Sequence, residues 1–443
     1  MKEFVLHCGK IVTPQEVFEG YVVVKDGKIA AIEKKSLYEG ELETIDLEGK
    51  YLFPGLIDVH VHFRTPGMTQ KEDWTTGSKA ALAGGVTTVL DMPNTNPPTT
   101  DQASLDLKRS LVQKEALVNY GFFAGATKTN LEALKAMKDI AGIKVYMGSS
   151  TGNLLVDDLK TLEALMKDSG KILAIHAENE QCIQSGIHAH EGETDPAVHS
   201  KIRAPECAEQ AVRAALDFVE KYKARVHFCH VSTRGELDLV RKFKREHSAH
   251  VNQLISVEVT PHHLFLSEKD YVAQGNVVKV NPPLRSEDDV KALWEGIADG
   301  TVNIIATDHA PHLMEEKQLP YPQAPSGVPG VQTMLPLLLN AVHSNQLTVQ
   351  KIAELCSYNP AQRFGMRGKG SIAVGNDADF AVIDLKLHEK VCHHFLWTKA
   401  DWSPFHGRTL KGWPVMTFVA GELMYEWREK FGKTFGRPVE FLS

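Results

Sequence analysis

The sequence has few of the features that mark membrane, secreted or nucleic-acid-binding proteins. No apolar run approaches the roughly 20 residues that cross a bilayer. The start of the chain, MKEFVLHCGKIVTP, lacks the long apolar segment of a signal peptide. The 443-residue chain has a net charge of -7, so it has no basic footprint for nucleic acid. We therefore expect a cytoplasmic globular protein that acts on a small molecule.

Cysteine is scarce, and its spacing argues against a thiolate metal site. The six cysteines form no CxxC pair and are scattered along the chain. This distribution predicts reduced, mostly packed thiols rather than a disulfide framework or a zinc–thiolate site. The six are Cys8, Cys182, Cys207, Cys229, Cys356 and Cys392.

Eight short β-branched runs alternate with helical patterns between about residues 54 and 310. Most are continuous in apolar residues, as expected for strands that are buried on both faces. Eight strands alternating with helices predict a closed, parallel (β/α)8 TIM barrel. An open, doubly wound sheet is the alternative, but no Gly-rich dinucleotide loop follows the first run. The predicted strands are 56–62, 86–92, 118–125, 143–147, 172–178, 225–231, 256–262 and 303–309.

The two chain ends contain further short strands that lie outside this pattern. Residues 1–53 include GYVVVKDGKIAAIEK, in which Asp26-Gly27 is typical of a hairpin turn. Residues 366–443 include GSIAVGNDADFAVIDL and MTFVAGELMYEW. Each end alone is too short for a convincing core. We therefore predict one small β-sandwich domain built from both ends, beside a barrel of residues 54–365.

A long Pro- and Gly-rich loop, residues 310–330, follows the eighth predicted strand. Loops of this length without structure of their own are usually functional or disordered. Active sites of barrels lie at this end of the strands, so we predict a lid or binding loop that closes over substrate.

Three basic side chains alternate along the first predicted strand, in PGLIDVHVHFRTPG. Residues two apart share a face of a strand, so His60, His62 and Arg64 should point the same way. Neutral imidazoles are good ligands for zinc-like metals. The HxH pair alone is a weak signal, because two histidines with ordinary hydrogen-bond partners are the more common explanation.

Polar residues at other predicted strand ends strengthen the metal hypothesis. His176, His230 and Asp308 close the fifth, sixth and eighth strands, and Lys144 lies within the fourth. Four histidines and an aspartate at one end of a barrel are hard to explain as packing. They exceed the three protein ligands of a typical mononuclear catalytic zinc site, so two metals fit better. Lys144 would bridge them if carbon dioxide carbamylates it, and an ordinary paired lysine is the alternative.

Together these motifs resemble the amidohydrolase superfamily, and within it the dihydroorotases. The matching segments extend over nearly the whole chain: DVHVHFRTPG, DMPNTNPPTT, NPPLR, ATDHAPH and GSIAVGNDADFAVIDL. The resemblance implies reversible cyclisation of N-carbamoyl-L-aspartate to L-dihydroorotate, a step of pyrimidine biosynthesis.

The resemblance also implies a metal centre with two Zn²⁺ ions per subunit. His60 and His62 would bind one ion together with Asp308, and His176 and His230 would bind the other. A hydroxide would bridge the two ions.

Two residues carry further roles by this resemblance. Lys144, carbamylated by CO2, would be the second bridge, since GIKVYM is similar to the branch of the family that has lysine here rather than aspartate. Asp308 would be the catalytic residue, a general base that becomes a general acid.

The implied substrate contacts lie around a free carboxylate. The guanidinium of Arg64 offers two parallel donors, a geometry that lysine does not reproduce. In the family this carboxylate also meets an asparagine and a histidine, while other residues contact the ring or act through the main chain. Taken alone, Asn94 in MPNTNPP is better explained as a turn cap. The implied residues are Arg64, Asn94, Asn281, His312, Ser326 and Gly327.

Several alternatives remain open at this stage. Allantoinases and hydantoinases open related cyclic amides with a similar metal site, and a non-catalytic scaffold would keep the fold without activity. We expect a homo-oligomer, a dimer or larger. Four further histidines near strand ends are predicted not to be ligands: His227, His262, His263 and His309.

Overall fold

The computed structural model describes residues 3–35, 37–149 and 154–442. Within these residues, seventeen strands form two sheets. The strands are β1 (Phe4–Val12), β2 (Val17–Lys25), β3 (Lys28–Glu33), β4 (Glu43–Asp46), β5 (Tyr51–Pro54), β6 (Leu56–Val61), β7 (Val86–Asp91), β8 (Asn119–Gly125), β9 (Gly142–Tyr146), β10 (Leu173–His176), β11 (Val226–Phe228), β12 (Ile255–Val259), β13 (Ile304–Ile305), β14 (Phe380–Lys390), β15 (Thr409–Val419), β16 (Glu422–Glu426) and β17 (Lys430–Phe431).

Helices follow most of the strands from β6 to β13. They are α1 (Trp74–Ala83), α2 (Gln102–Val112), α3 (Leu131–Ala136), α4 (Leu159–Asp168), α5 (Glu180–Ala189), α6 (Val198–Ile202), α7 (Pro205–Tyr222), α8 (Arg234–Glu246), α9 (Ala249–Asn252), α10 (Pro261–Phe265), α11 (Asp270–Gln274), α12 (Glu287–Ala298), α13 (Met314–Lys317), α14 (Met334–His343), α15 (Val349–Ala353) and α16 (Asn359–Arg363). Short 3-10 turns cover Gly275–Val278 and His393–Phe395, and a π-helical turn covers Glu354–Tyr358. Among the described residues, no helix has both the length and the apolar character needed to span a bilayer.

The eight parallel strands β6 to β13 lie side by side in chain order and form the predicted barrel. The seam between its first and last strands is closed by a parallel bridge between Val61 and His309. Across it, the His62 amide donates to the His309 carbonyl at 2.8 Å. The eight parallel strands are connected by helices, and the seam joins the first strand to the last. These features confirm a (β/α)8 barrel rather than an open sheet.

Most barrel strands end earlier than the sequence suggests, although β8 ends at Gly125 as predicted. Strand β11 stops at Phe228 and β13 stops at Ile305, so the predicted strands 225–231 and 303–309 were too long. His230 and Asp308 therefore lie just beyond their strands, with φ angles of 35° and 46°. A positive φ is uncommon for residues other than glycine and is incompatible with a regular strand.

The second sheet combines both chain ends, as predicted. Its nine strands run in the order β17-β16-β15-β14-β5-β1-β2-β3, with β4 paired to β1. Apolar side chains from β1, β2, β14 and β15 enclose a core of their own, with Leu6, Val22, Val382 and Phe418 among its members. The turn between β2 and β3 is the predicted Asp26-Gly27 pair, and the positive φ at both residues matches a type I′ hairpin.

The two sheets are joined by a short connection and by several cross-contacts. Gly55 alone separates β5 from β6. Asn119 of the barrel donates to Asp379 at 3.0 Å, and Thr417 donates to the Leu82 carbonyl at 2.7 Å. The tail also returns to the barrel, where the Gly436 amide donates to the Ala116 carbonyl.

A disulfide joins two cysteines that the sequence predicts to be reduced. Cys182 in α5 and Cys207 in α7 are bonded, with their Cα atoms 5.3 Å apart. The starts of the two helices meet here, because the Asn179 amide donates to the Cys207 carbonyl at 2.8 Å. The prediction was wrong for this pair, because the bond depends on how α5 meets α7, and the spacing of 25 residues does not reveal that contact. The other four cysteines are free.

Candidate active site

One cavity at the carboxyl ends of the barrel strands collects nearly all the side chains that the sequence singles out. Every predicted site residue except His312 lines it. His312 lies directly behind Arg64, with its Nε2 3.3 Å from Nη2 of the guanidinium. The lining residues are His60, His62, Arg64, Asn94, Lys144, Tyr146, His176, His230, Asn281, Asp308, Ala310, Ser326 and Gly327.

His60, His62 and Asp308 form one cluster in this cavity. The Nε2 atoms of the two rings lie 3.3 Å and 2.9 Å from Oδ1 of Asp308. Their Nδ1 atoms are occupied, that of His60 by Glu258 at 2.8 Å and that of His62 by Asn94 at 2.7 Å. Both rings therefore turn the same nitrogen toward one point beside the carboxylate.

His176 and His230 form a second cluster on the other side of the cavity. Nδ1 of His176 and Nε2 of His230 are 3.0 Å apart, and the opposite nitrogen of His176 donates to Glu178 at 2.8 Å. Burial lowers the pKa of His176, and burial lowers that of His230 well below its ordinary value. Both rings are therefore neutral at pH 7, so each carries one nitrogen lone pair.

The charge balance around His60 also favours a cation. Burial and the nearby Lys144 oppose a charge on the ring, but Glu258 and Asp308 outweigh them and raise the pKa of His60 to about 10. The proton that the charged His60 ring carries toward Asp308 would occupy the position that a bound metal ion would take. Because imidazole nitrogens and a carboxylate are the usual ligands of catalytic zinc, these residues fit one or two divalent cations. Ligand atoms of His60, His230 and Asp308 lie within 4.8 Å of one another.

Lys144 is fully buried between the two clusters and has an unusual environment for a lysine. Its Nζ donates to Sγ of Cys229 at 3.1 Å and lies 5.2 Å from the centre of the Tyr146 ring. No ion pair joins it to any residue in the described part of the chain. An unpaired ammonium is costly to bury. The alternative of an ordinary paired lysine requires an acidic partner, and Lys144 has none among the described residues.

Arg64 places a second buried cation at the cavity. Its exposed fraction is 1%, and its guanidinium donates to the Pro311 carbonyl at 3.1 Å and 3.3 Å. Within the ranges that the structure describes, no carboxylate forms an ion pair with it. A planar guanidinium in this position is well suited to a ligand carboxylate.

A buried carboxylate aligns the strands that carry these groups. Asp58 in β6 accepts the Thr307 amide at 3.0 Å, the Thr307 hydroxyl at 2.5 Å and the His60 amide at 3.2 Å. Burial raises the pKa of Asp58 to about 6 despite these bonds. The contacts tie the first strand to the segment before Asp308, which brings the two ends of the barrel sequence together.

The predicted loop 310–330 is packed rather than extended, and two lysines hold it. The ammonium of Lys317 at the end of α13 donates to the carbonyls of Lys279, Pro325 and Gly327 at 2.9–3.0 Å. That of Lys279 donates to the carbonyls of Pro322 and Ala324. These bonds fix the main chain of Ser326 and Gly327 at the cavity wall.

Sequence reasoning missed the residues that support the cavity from outside. Arg203 pairs with Glu178, the partner of His176, and His199 lies 2.8 Å from the Asn281 amide oxygen. Glu258 touches His60. Glu178 follows His176 by two residues and could have been found by that spacing, whereas no spacing in the sequence connects Glu258 with His60.

The four histidines that were predicted not to be ligands lie outside the cavity. His227 contacts Ser256 and Glu258, and His309 contacts Glu72. His263 contacts Thr260 and the Pro282 carbonyl. His262 is buried beside His263.

The chain belongs to the amidohydrolase family, because the sequence model of that family matches residues 51–424. Its curated relatives narrow the class further. The dihydroorotase of Methanosarcina acetivorans is 41% identical over 91% of this chain and 88% of its own length. The dihydroorotase of Pyrococcus furiosus is 37% identical over 97% of this chain and 95% of its own length.

Solved structures of similar proteins share the whole architecture. The L-hydantoinase (dihydropyrimidinase) from Arthrobacter aurescens superposes with a TM-score of 0.93 at 28% identity, covering 99% of this chain and 100% of its own. The dihydropyrimidinase from Brevibacillus agri NCHU1002 superposes with a TM-score of 0.88 at 25% identity, covering 97% of this chain and 96% of its own. The barrel with its added sheet is thus the fold of these enzymes.

Proposed function

We propose that this protein is a dihydroorotase, which converts N-carbamoyl-L-aspartate to L-dihydroorotate with loss of water and catalyses the reverse hydrolysis. The observation that carries the proposal is Arg64, a buried guanidinium without an acidic partner among the described residues, next to a cluster of candidate metal ligands. A substrate with a free carboxylate beside a cyclic amide fits this arrangement, because Arg64 would bind the carboxylate and the metal ligands lie next to it. The dihydroorotases among the relatives support the same assignment.

The proposal includes two zinc ions in the cavity. His60, His62 and Asp308 would hold one, and His176 and His230 the other. Bound divalent cations lower the pKa of water and polarise a carbonyl oxygen. Lys144, converted to a carbamate by CO2, would reach both ions, which would also remove the unpaired ammonium from this buried position.

Asp308 is suited to move the proton of the reaction. Burial opposes its charge, but His60 and His62 outweigh this and hold the pKa of Asp308 well below its usual range. The ionised carboxylate can accept a proton from the attacking water as the new C–O bond forms. It then delivers this proton to the amide nitrogen as the ring C–N bond breaks. Cyclisation uses the same group in the reverse order.

The remaining residues would orient the substrate. Arg64 would bind the free carboxylate through two parallel donors, assisted by Asn94 and by His312. Asn281, held by His199, would contact the ring. The main chain of Ser326 and Gly327 would line the opposite side, so that the ring amide faces Asp308. These contacts would hold the scissile bond in a reactive orientation.

Hydantoinase activity is a second candidate, because the L-hydantoinase (dihydropyrimidinase) from Arthrobacter aurescens shares the whole fold. The decisive experiment measures kcat/KM of the zinc- and bicarbonate-treated protein for dihydroorotate, hydantoin and allantoin side by side. We expect dihydroorotate to be preferred by about 10²-fold or more, since a site built for a charged group strongly rejects substrates that lack it. A preference for hydantoin or allantoin would refute the proposal. No activity on any of them in a metal-loaded protein would favour a non-catalytic scaffold.

A further inference from the structure

Glu258 is the last residue but one of β12, near the carboxyl end of the strand, and is fully buried. Its Oε1 accepts two hydrogen bonds, from Nδ1 of His60 at 2.8 Å and from the His230 amide at 2.9 Å. Its Oε2 lies 3.0 Å from Nε2 of His227. Glu258 does not line the cavity, so it is not placed to touch substrate.

The first contact determines which nitrogen of His60 faces the cavity. An ionised carboxylate only accepts hydrogen bonds, so Nδ1 of His60 must carry a proton there. The nitrogen left to face the cavity is then Nε2, the atom 3.3 Å from Asp308. Liganding histidines commonly have such a partner, which fixes both tautomer and ring orientation.

The second contact supports a strained piece of backbone. His230 has a φ of 35°, in a region that residues with a side chain adopt at a cost. Its amide is buried, and Glu258 is the acceptor that satisfies it. This bond holds the segment after β11 so that Nε2 of His230 lies 3.0 Å from Nδ1 of His176.

The third contact holds the carboxylate itself. His227 lies between Glu258 and the Ser256 hydroxyl, whose oxygen is 2.8 Å from Nδ1 of the ring. All of these groups are at most 5% exposed. Glu258 therefore cannot turn away without leaving several buried donors unsatisfied, which is costly.

We propose that Glu258 is a positioning residue that couples the two halves of the metal centre. It orients one candidate ligand from each cluster, the ring of His60 and the backbone of His230, through a single oxygen atom. This inference rests on the two-metal site of the proposed function. It predicts that displacement of the Glu258 oxygen weakens the binding of both ions together.

The test compares two substitutions that separate position from charge. Glu258→Asp keeps the charge but withdraws the carboxylate by one methylene, and Glu258→Gln keeps an oxygen in place but removes the charge. Zinc is added stepwise to each metal-free, full-length protein in competition with a chromophoric chelator. We expect Glu258→Asp to weaken both binding steps by about 10-fold to 100-fold, as for other residues that orient metal ligands. Glu258→Gln should weaken both by about threefold, because an uncharged acceptor is weaker.

Two control variants distinguish this role from a general structural one. Glu236→Gln alters another fully buried glutamate, bonded to the Ser232 and Thr233 amides at the start of α8, and should leave both zinc steps unchanged. His62→Ala removes a single candidate ligand and should weaken one step only. The absorption spectrum of the cobalt-loaded protein should change in Glu258→Asp and not in Glu236→Gln.

Unchanged zinc binding in both Glu258 variants, or weakening of one step alone, would overturn the inference. If circular dichroism shows that Glu258→Asp is unfolded, zinc binding by Glu258→Gln decides whether the inference holds, by the same criterion. Wild-type activity on dihydroorotate is measured in the same preparation. If the wild type binds two ions but does not hydrolyse dihydroorotate, the proposed function fails while the role of Glu258 is still decided by the zinc titration.

Discussion

At the scale of single residues, Arg64 shows how a correct expectation can have a different structural cause. The sequence predicts that His60, His62 and Arg64 share one face of a strand. The structure ends β6 at Val61, and Arg64 has a φ of 61°, so the chain has already left the strand. The guanidinium nevertheless lines the cavity, together with both histidines.

The role of Arg64 can be tested by substitution. We expect Arg64→Ala to raise KM for dihydroorotate by about 100-fold or more, since a charge-assisted, bidentate bond is lost from a buried site. Arg64→Lys should recover only part of this, because a lysine lacks the planar fork. Steady-state kinetics provide the measurement, with the exposed Arg367→Ala as control. Wild-type KM in Arg64→Ala would exclude a role in binding the carboxylate.

Glu236 gives a prediction about stability and pH. Burial raises its pKa to about 7, and bonds to the Ser232 and Thr233 amides reduce this shift without cancelling it. The folded state keeps the proton that the unfolded state releases near pH 4.5. The contribution of this group to stability is therefore greatest below pH 4.5 and declines as the pH rises to about 7.

We expect Glu236→Gln to remove the loss of stability that the ionisation of Glu236 causes as the pH rises. Relative to the wild type, its free energy of unfolding should improve by about 3 kcal/mol between pH 4.5 and pH 8, from the size of the shift. Urea unfolding at several pH values measures the difference. Parallel curves for the two proteins would show that Glu236 is ionised in the folded state throughout.

Residue patterns revealed the groups that line the cavity but not those behind it. His60, His176 and Lys144 stand out in sequence because polar residues interrupt apolar strands at one end of the barrel. Glu258 interrupts its strand in the same way, yet its partners come from two other strands, and no spacing in a single sequence encodes that proximity. Arg203 reaches Glu178 from the end of a separate helix, for the same reason.

At the scale of elements, the loop 310–330 is held in place by lysines rather than by apolar packing alone. Burial lowers the pKa of Lys317 well below its ordinary value, and burial lowers that of Lys279 to about 8. Gly327 within the loop has a φ of 139°, and a Cβ there would lie 2.5 Å from the Ala310 carbonyl. The loop conformation thus depends on a few specific residues. Whether the loop closes over substrate stays a prediction.

The importance of this support can be tested with Lys317→Met. The substitution keeps most of the length of the side chain but removes the ammonium that donates to the carbonyls of Lys279, Pro325 and Gly327. The Lys279 carbonyl keeps the Gly327 amide as a donor. We expect KM for dihydroorotate to rise about 10-fold and proteolysis within residues 310–330 to accelerate, since unsatisfied buried groups destabilise a conformation. Lys291→Met on the exposed face of α12 is the matched control. Equal KM and equal cleavage rates in the two variants would contradict the assigned support.

Strands and helices were predicted well where the periodicity of apolar residues is strong. Features that depend on tertiary contacts, such as strand ends and the disulfide, were predicted poorly. All eight barrel strands were found because continuous apolar runs are typical of buried parallel strands. Their ends were overestimated, since His230 and Asp308 continue the pattern although their φ angles are positive. The Cys182–Cys207 bond was missed because it depends on how α5 meets α7.

At the scale of the whole molecule, the sheet from the two chain ends is closely bound to the barrel. Strand β5 pairs with β14 across more than three hundred residues of sequence. The Thr417 hydroxyl of β15 donates to the carbonyl of Leu82 in α1, and both residues are fully buried. The predicted boundaries, 1–53 with 366–443 and 54–365, remain to be tested.

We expect the excised segment 54–365 not to fold on its own. Without β15 the barrel helices α1 and α14 would expose apolar surface, which favours aggregation. Gel filtration and thermal unfolding of this segment are compared with those of the intact chain, which should unfold cooperatively. A monomeric segment with a cooperative transition would instead show that the barrel is an independent folding unit.

The seam between Val61 and His309 has a consequence for the order of events during folding. Asp308 meets His60 and His62 only when the last barrel strand docks beside the first, so residues nearly 250 positions apart must be joined before the first cluster exists. A growing chain on the ribosome cannot assemble that cluster until the eighth strand has emerged. Capture of the metal ion that it would hold therefore reports the end of barrel assembly, and a truncated or stalled chain lacks it.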